Sequence, residues 1–447
     1  MHTTKMTEDR NVINVGLLAA GMMGREHISY LLNYPNVRLK WICDPDSSSV
    51  EKALAILKDN NVEIPQVFTK ERDMLESLHV QQELHLLVIA TPNHLHTPQL
   101  IRWAQRPITI LCEKPVAISE GQVAALRSHS PTFQADIWVA MEYRYIPAIN
   151  KLLQLLPSIG PLKKIAIREN RYPFLNKIEQ WNKDINKSGD TLVEKCCHFF
   201  DLFRLISNSE MKSCTTMVHR GLNWVNYGYH KRTDNPVPII DSAYVLLDFD
   251  PLDQQQEGDQ SDDELVPTGG SPEYHQLWKQ STIGCLELCM FAEGSRHQEE
   301  IVVTGLSGRL EAYLPENKVY FYQRPNEEEW SDRSVPPPRS AIKETIFDCS
   351  DLSHVYPSFG KDIPSHSGYH YCSTSIEWKH LIDQIRAKRD LGTFTPQVSL
   401  EDGIRAVEMG IHAMKNISNN KENSSLASNL EQSEQSIYPI EACCVAE

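Results

Sequence analysis

Residues Ile13–Leu18 form a short apolar run that ends in Ala19-Ala20-Gly21-Met22-Met23-Gly24, and Ile28, Leu31 and Leu32 then recur on one helical face. The pattern reads as a buried strand that turns through glycines into a helix. Val37, Leu39 and Trp41 alternate with polar neighbours as a second strand, which ends at Asp44. Strand, glycine turn, helix and an acid roughly 20 residues on make a dinucleotide-binding pattern. Gly21 lets the backbone approach a pyrophosphate, Gly24 lets the helix pack on the strand, and the helix start, with Met22 and Met23, offers N–H donors to the anion. Ala19 stands where the first glycine belongs, which alanine tolerates if φ is negative there. The Asp44 carboxylate suits the ribose hydroxyls of NAD and repels the 2′-phosphate of NADP. Ser47, Ser48 and Ser49 leave NADP open as an alternative, although no arginine sits beside them.

The alternation continues. Strand-like runs at Leu84–Ala90, Ile108–Cys112 and Ile137–Met141 are separated by helical stretches, which predicts a parallel sheet covered on both faces. After Pro147 the pattern changes. A helix at Ala148–Leu155 leads to strand-like segments at Lys164–Arg171, Cys214–Arg220, Ile240–Asp250, Ile283–Phe291, Glu299–Thr304, Arg309–Leu314 and Val319–Gln323, with a further helix in Gly189–Ile206. They predict an open, mostly antiparallel sheet, closed by helices at Ser375–Ala387 and Leu400–Lys415. The fold class is therefore α/β: a doubly wound Rossmann sheet over 11–146, then an α/β domain over 147–415. Residues 251–280 carry seven acids against one lysine and read as a disordered insertion. Ser334–Pro364, with three consecutive prolines, reads as an irregular loop, and 416–447 as a flexible tail.

Composition limits the partners. With 44 Lys+Arg against 59 Asp+Glu the chain carries −15, so it lacks the basic face of a nucleic-acid binder. No apolar run approaches the roughly 18 residues of a membrane span. The first ten residues lack the apolar core of a signal peptide, and the eleven cysteines form no C-x-x-C pair, which fits a reducing, cytoplasmic setting.

Three further segments carry chemistry. Thr91-Pro92-Asn93-His94-Leu95-His96 and Glu113-Lys114-Pro115 each follow a strand's C-terminal end, where open α/β sheets bind ligands. His94 and His96 alone make no metal site, since a third ligand is missing. In Gly189–Leu202, Glu194 and His198 are four apart and so share one face of a helix. A carboxylate beside an imidazole fixes its tautomer and raises its basicity; the alternative is an ordinary surface pair.

Taken in order, these segments together with Tyr143-Arg144-Tyr145-x-Pro147 resemble the Gfo/Idh/MocA family, that of glucose–fructose oxidoreductase and inositol 2-dehydrogenase, from about Val12 to Lys415. The resemblance implies that Lys114, Glu194 and His198 are the catalytic lysine, acid and histidine. It also implies that Thr91, Pro92, Asn93, His96, Glu113, Lys114 and Arg144 join the glycine turn around NAD. Glu194 departs from the family's usual aspartate by one methylene. Arg171, Trp181 and Asn182 are candidates to line a substrate pocket, and His370 lies where relatives carry a His near the active site. The implied reaction is hydride transfer between the cofactor and a secondary hydroxyl of a sugar, inositol or related polyol, in a homodimer or tetramer. Relatives that act on dihydrodiols, conjugated double bonds or glycosides remain alternatives, as does a non-enzymatic NAD-sensing regulator or scaffold.

Overall fold

The computed structural model describes residues 12–226, 237–250, 281–356 and 372–418. The expected insertion at 251–280, most of the expected tail and His370 lie outside the described residues.

The first sheet has six strands: β1 (Ile13–Leu18), β2 (Val37–Cys43), β3 (Gln66–Phe68), β4 (Leu86–Ile89), β5 (Thr109–Glu113) and β6 (Asp136–Ala140). Their order is β3-β2-β1-β4-β5-β6, and every pairing is parallel. The central strands are buried on both faces, as Leu86–Ile89 and Ile110–Cys112 illustrate, which is why they read as unbroken apolar runs. Strand order reverses between β1 and β4, so a crevice opens at their C-terminal ends.

The second sheet has eight strands: β7 (Leu162–Asn170), β8 (Met211–Arg220), β9 (Ile240–Phe249), β10 (Thr282–Cys289), β11 (Glu299–Gly305), β12 (Gly308–Tyr313), β13 (Lys318–Gln323) and β14 (Lys343–Asp348). Their order is β14-β13-β12-β11-β7-β10-β9-β8, antiparallel except for the β7–β10 pair. The Cys197–Ser207 helix packs on one face so closely that a Cβ at Gly284 would stand 3.0 Å from the Phe203 ring. The opposite face leaves Met217, Tyr244, Leu246 and Ile283 more than half exposed.

Two expectations fail locally. Lys343–Asp348, expected to be irregular, is β14, because Thr345, Ile346 and Phe347 are strand formers and lie opposite β13 from Lys318↔Asp348 to Gln323↔Lys343. Residues 416–418, expected as tail, run beside β8: Thr216 donates to the Asn416 carbonyl at 3.2 Å and Ser418 donates to the Thr216 carbonyl at 2.8 Å.

The last two helices, Ser373–Leu391 and Leu400–Lys415, return to the first sheet. Trp138 donates to Glu377, and a Cβ at Gly403 would stand 3.0 Å from the Val139 side chain. The second helix opens with a capping box between Ser399 and Asp402, which satisfies two orphan donors at its start.

Candidate active site

The glycine turn closes β1 onto the Met22–Leu31 helix. Ala19 donates to the Cys43 carbonyl at 2.8 Å and holds φ +73. The negative φ that alanine prefers is therefore not what this turn uses. The left-handed conformation costs alanine about 1 kcal/mol, and nearby contacts impose it. Ala19→Gly is expected to raise unfolding stability by about 1 kcal/mol, read by urea titration. No side chain caps the helix at Gly21, and a Cβ built on Gly21 meets nothing within 4 Å. Open space and uncapped helical donors are what a pyrophosphate needs, so this turn fits a dinucleotide. Met22 is exposed at the same helix start, and Met23 is half-buried beside it. Asp44 Oδ2 accepts from Ala20 N at 2.7 Å and Oδ1 accepts from Asp46 N at 2.8 Å. Each oxygen keeps acceptor capacity, and Asp46 adds a second carboxylate at this edge.

At the end of β4, Thr91 donates to Gln99 at 2.6 Å. Pro92 opens the Asn93–Leu95 turn, which buries Asn93. His96 is buried, with Nε2 2.7 Å from the Thr91 carbonyl and Nδ1 2.8 Å from the Pro115 carbonyl. It therefore clamps the β4 and β5 loops together rather than facing the crevice. Burial pushes its pKa down, against the pull of the two carbonyls. Glu113 also points inward and accepts from His27 Nε2 at 2.8 Å. His27 Nδ1 accepts from Trp378, which fixes the tautomer. Burial would raise the Glu113 carboxyl, but the His27 hydrogen bond and neighbouring charge hold it below the usual range.

Lys114 crosses to the second lobe. Its Nζ donates to the Glu194 carbonyl at 2.9 Å and lies 3.4 Å from Glu194 Oε2. Asn93 Nδ2 donates to the same Oε2 at 2.8 Å, and Lys177 Nζ is 3.5 Å from Oε1. Burial lowers the Lys114 pKa, but Glu194, Cys197, Glu142 and Glu113 raise it more, so it is an ammonium. Burial likewise opposes the charge on Glu194, yet Lys114, Lys177 and Asn93 hold its carboxyl at about 2. A depressed carboxyl adds stability above its unfolded pKa, and that contribution is lost as pH falls toward the folded value. Wild type is expected to lose about 3 kcal/mol more than Glu194→Gln between about pH 4.5 and pH 2, read by thermal unfolding across pH.

Glu194 and His198 do not pair. The helix breaks between Thr191–Glu194 and Cys197–Ser207. The Thr191 carbonyl accepts from both Lys195 N and Cys196 N, at 3.0 and 3.1 Å, and this i,i+5 widening turns His198 away from Glu194. His198 Nε2 instead lies 3.4 Å from Glu142 Oε1. His198 stacks on Tyr143 with centroids 4.5 Å apart.

The other expected residues have partners within the protein. Arg144 forks onto Asp201 at 2.5 and 2.6 Å and donates to the Gln397 carbonyl, tying the loop after β6 to the C-terminal helices. Arg171 pairs with Glu169 at 3.2 Å and lies over Tyr172. Asn182 is buried and donates to the Leu175 carbonyl. Trp181 is nearer the centre: its ring carries Lys177 Nζ 4.4 Å from the centroid. Lys177 and Glu142 were not anticipated. Lys177 sits in a loop without a motif, whereas Glu142, two residues past the end of β6, was open to the strand-end rule. Among the described residues no cluster of His, Cys, Asp and Glu is arranged to hold a metal ion, and no helix is long and apolar enough to cross a membrane.

Residues 13–134 match the family described as "Oxidoreductase family, NAD-binding Rossmann fold", and residues 155–254 match its "C-terminal alpha/beta domain". An uncharacterized oxidoreductase, YrbE, of Bacillus subtilis is 26% identical over 246 residues, covering 53% of this chain and 64% of that protein. Inositol 2-dehydrogenase of Rhizobium meliloti is 22% identical over 205 residues, covering 45% of this chain and 57% of the relative. The chain thus spans about three fifths of the length of these relatives. A structure of levoglucosan dehydrogenase in complex with NADH and levoglucosan superposes with a TM-score of 0.63 at 16% identity, covering 90% of this chain and 96% of that one, which is likeness of fold. Strand order, glycine turn and both matched domains agree: the chain belongs to the Gfo/Idh/MocA oxidoreductase family and carries its NAD-binding Rossmann domain.

Proposed function

We propose that this protein is an NAD-dependent dehydrogenase that reversibly oxidises a secondary hydroxyl of a sugar, inositol or related polyol. The observation that carries the reading is the buried Lys114–Glu194 pair at the C-terminal edge of the parallel sheet, with His198 in the adjoining helix. The names of the inositol and levoglucosan dehydrogenases support the substrate class.

The turn from Ala19 to Gly24 and the helix start at Met22 and Met23 would hold the pyrophosphate. Asp44 would take the adenosine ribose, and Thr91, Pro92 and Asn93 would border the nicotinamide end. Asp44 and Asp46 both oppose a 2′-phosphate, so NAD is preferred to NADP. Bound NAD supplies the hydride acceptor. The chain's own residues handle the proton. His198 takes it from the substrate hydroxyl. Lys114, kept cationic by Glu194, donates a hydrogen bond to the oxygen as negative charge grows there. Glu194 serves by fixing Lys114, and Lys177 and Trp181 border the same centre.

The lobes are proposed to divide at 146/147, as the change of pattern there suggests. The exposed face with Met217, Tyr244, Leu246 and Ile283 supports a homodimer or tetramer. The nine described cysteines are free thiols, which supports a reducing, cytoplasmic setting. The test is NADH formation across inositols, pyranoses and their acids, with NAD and NADP in parallel. Turnover of a polyol with NAD supports the reading, and NAD binding without turnover on any of them rejects it.

A further inference from the structure

We infer that Glu142 is the positioning carboxylate of His198, an inference that rests on the reading of His198 as proton acceptor. Glu142 Oε1 lies 3.4 Å from His198 Nε2, and both side chains are nearly inaccessible. The acid that sequence spacing assigned to this task is committed elsewhere, to Asn93, Lys114 and Lys177. The widened turn at Lys195–Cys196 separates it from the imidazole. The imidazole plane is set from the other side by Tyr143, parallel to it within 12°. Tyr143 is itself anchored at its hydroxyl: it accepts from Lys195 at 2.7 Å and donates to Glu299 at 2.6 Å. A ring held in this way keeps Nε2 toward Glu142.

Among the described residues, the groups whose charge is coupled to Glu142 include Lys114 after β5, Tyr143 beside it, Cys197 at the helix start and Glu377 in the Ser373–Leu391 helix. Burial pushes the Glu377 carboxyl well above the ordinary range, and Glu142 and Glu113 push it the same way. Among the described residues, Lys114 is a cation whose charge is coupled to Glu142. A carboxylate 3.4 Å from Nε2 favours the charged imidazole and, in the neutral ring, hydrogen on the nitrogen that faces it. When the hydroxyl proton moves to His198 and its electron pair stays on the substrate oxygen, the positive charge formed on the ring faces Glu142.

The test uses Glu142→Gln and Glu142→Asp in the full chain. The His198 titration midpoint is followed by imidazole NMR, with the resonance identified by its loss in His198→Gln. Glu142→Gln is expected to lower that midpoint by about one pH unit. It is also expected to move the acidic limb of the kcat/KM profile down by the same amount and to reduce kcat about 10²-fold, with NAD affinity retained. Glu142→Asp keeps the charge at a longer reach and should restore most of both. A His198 midpoint unchanged in folded Glu142→Gln overturns the inference. If that variant does not fold, ring nitrogen NMR of wild type replaces it, and a neutral His198 that carries its hydrogen on Nδ1 rather than on Nε2 overturns the inference. The NMR arm needs no turnover, so an inactive wild type counts against the proposed function and not against the pairing.

Discussion

Replacing Lys114 by alanine is expected to lower kcat about 10³-fold while NAD affinity changes little. The ammonium sits at the end of β5 and is held by the Glu194 carbonyl and carboxylate, so its position is set before substrate arrives. Its interaction with the substrate oxygen strengthens only as the oxygen gains negative charge, so the loss falls on kcat rather than on ground-state binding. Glu194 keeps Lys177 and Asn93 in the variant, so the buried carboxylate is not left unpaired. Steady-state kinetics with a fluorescence titration of NAD separates the two effects. Near-normal turnover in Lys114→Ala and in His198→Ala would remove both residues from the chemistry.

The second large effect is at Gly24. A Cβ there would stand 2.0 Å from the Ala19 carbonyl oxygen and 3.0 Å from its carbon, and backbone cannot rotate away. Gly24→Ala must therefore push the helix start off the turn. The expected cost is about 3 kcal/mol of stability, together with loss of NAD binding by at least about 10²-fold. Gly21→Ala is the informative contrast. Its backbone is at φ −64, and the added methyl meets no protein atom within 4 Å. Stability should hold while NAD affinity falls, because the methyl occupies the space in front of the turn. Urea unfolding and NAD titration of the two variants distinguish a packing glycine from a ligand-facing one.

The first sheet was legible because parallel strands buried on both faces write themselves as continuous apolar runs, Leu86–Ile89 and Ile110–Cys112 among them. The position of Thr91, Glu113 and Lys114 at the C-terminal edge of the sheet was legible because each closes or follows a continuous apolar strand. Other features depend on tertiary contacts that no local pattern encodes. The left-handed φ of Ala19 goes with a hydrogen bond from its N–H to the Cys43 carbonyl, 24 residues along the chain. The Glu194–His198 spacing promised a pair only for an unbroken helix, and one carbonyl accepting two N–H groups cancels it. Arg144 sits inside a motif yet spends its guanidinium on Asp201, a residue 57 positions away. β14 was hidden because the three prolines upstream outweighed the strand-forming Thr345, Ile346 and Phe347.

The central claim is that the two lobes bring a bound nicotinamide and a polyol hydroxyl together for hydride transfer. The most direct measurement supplies polyols deuterated at the carbinol carbon, with NAD, and examines the reduced cofactor by mass spectrometry. The account predicts deuterium in the NADH formed by wild type and a loss of label formation in Lys114→Ala and His198→Ala that follows their loss of turnover. NAD held tightly with no label transferred from any inositol, pyranose or sugar acid would contradict it and would leave a cofactor-binding protein without the chemistry.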